Sequence, residues 1–112
     1  MRYNQEKIGN VMVLRIEENR FDDNVAPEFK TELLRLVEKQ GEDKILVDLS
    51  QVDYADSSGL GALLFAQRQL KSNSGCLKLL HLSPKIQTLL KIAKLEGVLE
   101  GFDEEREALA SF

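Results

Sequence analysis

One stretch constrains this chain more than any other: an aliphatic run from Ile45 to Leu49, a short polar loop, and then Asp56-Ser57-Ser58-Gly59-Leu60. Ile45 to Leu49 is apolar apart from Asp48 and has the length of an interior strand, while Leu60 onward takes on helical character. Asp56-Ser57-Ser58 lies between them and supplies the side-chain oxygens that cap a helix start. The amides of a first helical turn lack internal partners and the macrodipole is positive there, so a negative group is favoured by roughly 0.3 to 1 kcal/mol. A phosphate carried by a serine at this point would meet the same donors.

The rest of the chain alternates strand and helix signals. Arg2 to Lys7 and Val11 to Glu17 flank Gly9-Asn10 and read as a hairpin. Asn19 to Asn24 is a polar break, after which Pro27 fits a first helical turn. Phe29, Leu33, Leu36 and Val37 follow at helical spacing, and Gly41 is placed to end that helix. A second helix is expected from Leu60 to about Ser72, and its first turns are apolar almost all round, so it buries more than one face. Cys76 to Leu82 reads as another strand, and Ser83-Pro84 opens a third helix with Ile86, Leu89, Leu90 and Ala93 inward. Gly97 is expected to end that helix and Val98-Leu99 to form a short edge strand. Asp103 should cap a last helix that turns Ala108 and Leu109 to the core. This order predicts an α/β architecture, a sheet with helical cover, in one domain over residues 1–112.

Composition narrows the function classes. Fifteen Lys and Arg against nineteen Asp and Glu leave a net charge of −4 without a basic cluster, which argues against direct nucleic-acid binding. Neither a signal peptide nor an apolar run of about 18 residues is present, so a cytoplasmic chain without membrane insertion is expected. Cys76 and His81 are single representatives of their types, too few for a zinc site, and no metal or other cofactor is expected. Gly59-Leu60-Gly61 looks superficially like part of a dinucleotide fingerprint, but Leu64 holds the third glycine position and no phosphate-binding loop sequence occurs. No serine lies in a nucleophile elbow, which leaves His81 a structural residue at a strand end and predicts no enzymatic activity.

Each remaining candidate has a plain reading beside its functional one. Asp56 or Ser57 would serve a helix cap, worth about 1 kcal/mol, in any protein. Asp22 and Asp23 suit a solvated loop, and Asp48 a strand acid with a hydrogen-bond partner. Leu60 to Phe65, preceded by Tyr54 and Ala55, suits a core helix. It equally suits an apolar docking patch rimmed by Asp53, Asp56 and Ser57.

Leu46 to Leu60, centred on Asp56-Ser57-Ser58-Gly59-Leu60, resembles the STAS domain family, whose stand-alone members are bacterial anti-sigma factor antagonists. The similarity extends to Leu82-Ser83-Pro84, to Leu95-Glu96-Gly97-Val98-Leu99 and to a terminal helix with Glu107-Ala108. The resemblance implies a mixed sheet of four to five strands with about four helices. It also implies a phosphorylation-switched module that binds an anti-sigma factor with serine kinase activity and thereby releases a sigma factor, a serine phosphatase restoring the unmodified state. Ser57 is then the acceptor, with Asp22, Asp56, Ser58 and Gly59 forming its pocket and Asp53, Tyr54 and Leu60 the partner surface. Asn19 stands where many relatives have glycine, and Asn tolerates left-handed backbone.

Two other readings fit parts of the sequence. The same fold serves as an interaction subunit of a lipid-transport or other signalling complex that is not controlled by serine phosphorylation. An aspartate-phosphorylated receiver domain with Asp48 as acceptor is a third reading, against which stands the lack of an acidic pair after an early strand and of a suitably placed late Lys.

Overall fold

The computed structural model describes residues 1–112. Its elements in chain order are β1 (Tyr3–Ile8), β2 (Val11–Ile16), β3 (Arg20–Phe21), α1 (Ala26–Leu34) and β4 (Lys44–Asp48). They continue as β5 (Tyr54–Ala55), α2 (Ser57–Lys71), β6 (Cys76–Leu80), α3 (Pro84–Ile92), β7 (Gly101–Phe102) and α4 (Glu105–Ala110). A π-helical turn, Arg35–Lys39, extends α1.

Five strands form one sheet in the order β1-β2-β4-β6-β7, antiparallel between β1 and β2 and parallel elsewhere. β4 is its middle strand, which explains the unbroken apolar run. Ile45 and Val47 face a large core beneath α1, α2 and α3, while Leu46 faces a smaller cluster with Val11, Val13, Leu80 and Ala108. Only α4 contributes a helical residue to that second cluster. A separate two-stranded parallel sheet joins β3 to β5, pairing Arg20 with Tyr54 and Phe21 with Ala55.

The mixed sheet and four α-helices match the architecture expected from the sequence. Several boundaries differ, each for a local reason. The second helix starts at Ser57, one turn before Leu60, because Asp56 takes the whole capping role and lets both serines enter the helix. The third helix stops at Ile92, well before Gly97, and leaves Ala93 exposed. Lys94 adopts φ +58, and the amides of Lys94 and Leu95 bond back to the carbonyls of Lys91 and Leu90 at 3.0 and 2.9 Å. This is a Schellman closure with lysine in the glycine position. The edge strand is Gly101–Phe102 rather than Val98-Leu99. The amides of Val98 and Leu99 both bond to the Leu95 carbonyl, at 3.0 and 2.8 Å, which closes a turn there, with Leu99 buried in the main core and Val98 exposed. The last helix begins after Glu104, with no side-chain cap from Asp103. Asn19 is absent from the positive-φ residues, so it needs no glycine-like freedom.

A left-handed lysine carries a backbone cost of about 1 kcal/mol that glycine avoids. Lys94→Gly is therefore expected to stabilise the protein by about 0.5 to 1 kcal/mol in urea unfolding, despite the greater freedom it gives the unfolded chain. A loss of stability would show that the Schellman turn does not form in solution.

Candidate functional site

Asp56 has extended backbone and its carboxylate accepts the Gly59 amide at 2.9 Å, three residues into the turn. Its carbonyl accepts the Leu60 amide at 3.0 Å. The amides of Ser57 and Ser58 keep no protein acceptor, as first-turn donors do. Both serine side chains are exposed, whereas Gly59 and Leu60 are buried. The turn thus offers two hydroxyls and two free amides to solvent on a fixed support.

The support is unusually close. A Cβ built on Gly59 would lie 2.0 Å from the Phe21 carbonyl oxygen, inside any permitted contact, so α2 meets the backbone of β3 with nothing between them. Phe21 in turn is buried and packs edge-on to Phe29 of α1, ring centroids 5.2 Å apart. The first turn of α2 is therefore tied to α1 through β3.

Asp22 is 8% exposed and faces its own loop. Its carboxylate accepts Arg20 Nε at 3.2 Å and the Asn24 amide at 3.1 Å, while its carbonyl accepts the amides of Val25 and Ala26 at the start of α1. Burial pushes its pKa up, but the Arg20 guanidinium and the amides of Asn24 and Val25 outweigh that and hold it below the ordinary carboxylate value. It makes no hydrogen bond with Ser57. Asp53 is exposed and its amide is bonded to the Asn19 carbonyl at 3.0 Å, which ties the loop before β5 to the loop before β3. Tyr54 is 38% exposed, one of three large apolar side chains left open. Leu60, expected on the partner surface, is 6% exposed and belongs to the main core, because its position in the helix turns it toward the sheet.

Sequence reasoning missed two groupings. The Arg20 guanidinium stacks over the Tyr54 ring at 4.0 Å, across the β3 to β5 pair. Two-residue strands leave no periodicity by which to find it. On the far face of the sheet, Asp48 accepts Arg15 at 3.1 Å and the Ser50 amide at 3.0 Å, and lies 3.2 Å from His81 Nδ1. Arg15 also reaches Glu105 of α4 at 2.6 Å and Glu6 of β1 at 2.9 Å. Burial raises the Asp48 pKa, but the Ser50 amide, His81 and Arg15 together bring it below its ordinary value. So engaged, Asp48 is a structural acid and a poor phosphate acceptor. No group of three His, Cys, Asp or Glu side chains is arranged to hold a metal ion. No helix is long and apolar enough to cross a membrane.

Gly59→Ala is expected to cost about 1 to 3 kcal/mol in urea unfolding, since the added methyl must part α2 from β3. Gly61→Ala is the control: nothing lies within 4 Å of its added Cβ, and alanine favours the helix by roughly 0.5 to 1 kcal/mol. Equal effects of the two would contradict the close approach. Asp22 and Asp48 both titrate below their unfolded value of about 3.9. Their contribution to stability is complete above that value and is lost as pH falls through the depressed folded values. Asp48→Asn should therefore lower stability at pH 7 and flatten its decline below about pH 4, read from urea midpoints across that range; an unchanged acid slope would remove Asp48 from the account.

Residues 2–108 match the family model described as STAS domain. An anti-sigma factor antagonist of Bordetella bronchiseptica, BtrV, is 30% identical over 87 residues, 78% of this chain and 74% of that protein. The anti-sigma-B factor antagonist of Bacillus subtilis is 35% identical over 75 residues, 67% of each chain. The Bacillus cell fate determinant SpoIIAA, solved in its phosphorylated form, superposes with a TM-score of 0.76 at 20% identity, covering 98% of both chains. With the motif, the sheet order and these likenesses in agreement, the chain belongs to the STAS domain family.

Proposed function

We propose that this protein is an anti-sigma factor antagonist whose binding is switched by phosphorylation of Ser57. The observation that carries this reading is the exposed Ser57 hydroxyl in the first turn of α2, on a turn whose position is set by Asp56 and Gly59. In the unmodified state the face around Asp53, Tyr54 and Ser57 docks an anti-sigma factor that is also a serine kinase, and a sigma factor is released. Transfer of phosphate to Ser57 ends the docking, and a serine phosphatase resets it. The protein works in the cytoplasm as a single STAS domain, by binding and without catalysis or cofactor.

Phosphate adds about −1.5 to −2 charges beside Asp56, in a chain whose net charge is already −4. The free amides of the first turn attract the phosphate while the neighbouring carboxylates repel it, so the group stays at the surface and reverses the character of the docking face. The fold has no reason to rearrange, because Ser57 contributes no packing to the core.

Incubation with the cognate kinase and ATP, followed by mass spectrometric mapping, is expected to place phosphate on Ser57 and on no other residue, and Ser57→Ala to abolish it. Ser57→Asp should weaken kinase binding at least about tenfold, roughly 1.4 kcal/mol, without altering the unfolding midpoint by a comparable amount. Phosphate mapped to Ser58 alone, or full binding by Ser57→Asp, would overturn the reading.

A further inference from the structure

Arg20 is the only cation in the segments that build the acceptor face, residues 19–24 and 53–61, where Asp22, Asp23, Asp53 and Asp56 supply four carboxylates. Its guanidinium is fixed from two sides. The Tyr54 ring lies 4.0 Å beneath it, and Nε donates to Asp22 at 3.2 Å. The terminal nitrogens have no protein acceptor, and the side chain is 60% exposed. What remains is the outer edge of a planar fork, already oriented and facing solvent.

Such an edge matches the two oxygens of one planar oxyanion. The surrounding charge decides which kind. Four carboxylates nearby disfavour a dianionic phosphate, and disfavour still more a lipid or nucleic-acid surface that brings many phosphates at once. A lone carboxylate can be bracketed by the fork and kept from the rim. Arg and Tyr are also the residue types that most often anchor protein interfaces, and here they are stacked on each other.

Building on the antagonist reading above, we propose that Arg20 is the specificity-determining residue of the docking face and that it pairs with one Asp or Glu side chain of the partner kinase. Tyr54 and Asp22 are positioning residues for it, holding the fork before the partner arrives. Partners with a basic or apolar residue at the facing position are rejected by the unpaired guanidinium.

Calorimetric titration with the serine kinase that modifies Ser57, loaded with a non-hydrolysable ATP analogue, tests this. Arg20→Glu is expected to weaken binding by about 30-fold or more, and Arg20→Lys by a smaller factor, about threefold to tenfold, because charge survives and the fork does not. Among kinase variants with single Asp or Glu residues changed to Lys, one should weaken the wild-type complex and recover at least about tenfold of the affinity lost by Arg20→Glu. Binding by Arg20→Glu within twofold of wild type, or failure of every exchanged kinase to rescue it, would overturn the proposal while leaving the antagonist function standing. Absence of binding by the wild-type protein would instead remove the antagonist reading and this pairing with it. Circular dichroism and the urea midpoint of Arg20→Glu confirm that any loss of binding is not a loss of fold.

Discussion

The first turn of α2 rests on the backbone of β3 with no side chain between them, and most of the functional geometry depends on that contact. Glycine alone fits position 59 without displacing β3, since the Phe21 carbonyl already fills the space of a Cβ. The close approach aligns β3 with β5, brings Arg20 over Tyr54, and leaves Ser57 and Ser58 on the outer side of the turn. On the inner side, Phe21 meets Phe29 in the main core. A surface hydroxyl is thus held by the same packing that stabilises the domain, so it is presented in one place instead of riding on a mobile loop.

The two faces of the sheet divide the electrostatic work. Around Ser57, Asp56 is committed to the Gly59 amide and Asp22 to its own loop, so neither carboxylate competes for the amides of Ser57 and Ser58. An added phosphate then meets donors that nothing else uses. On the other side, Glu6, Arg15, Asp48, His81 and Glu105 link β1, β2, β4, the end of β6 and α4 into one network. That network is structural, and it secures the short helix that covers the smaller core cluster. Ser57 therefore lies apart from the groups that hold the far side of the sheet together.

The alternation of strands and helices was legible because the stripes of α1 and α3 carry a helical period and an unbroken apolar run as short as β4 suits an interior strand. The helix start at residues 56–58 and the family were legible for a different reason, the capping chemistry of the motif and its resemblance to STAS domains. Of the two residues that read as caps, Asp56 and Ser57, Asp56 alone fills the role and both serines are helical. Leu60 read as part of a docking patch because the apolar segment it opens follows an acidic loop, but the helical turn directs it into the core. Lys94 gave no sign of its left-handed backbone, which is imposed by Leu90 and Leu95 closing the end of α3. β7 escaped notice because two residues have no period. The Arg20 and Tyr54 stack was invisible on the same grounds, being a product of strand register between segments more than thirty residues apart.

The central claim is that negative charge on Ser57 alters a surface and leaves the fold as it is. Amide chemical shifts of uniformly labelled protein, recorded before and after stoichiometric phosphorylation of Ser57, test this most directly. Shifts are expected to be confined to β3, β5 and the first turn of α2, with β1, β2, β6 and α4 unmoved. Shifts spread through the central sheet, or loss of the resonances of α4, would show that phosphate rearranges the domain and would contradict a switch made from surface charge.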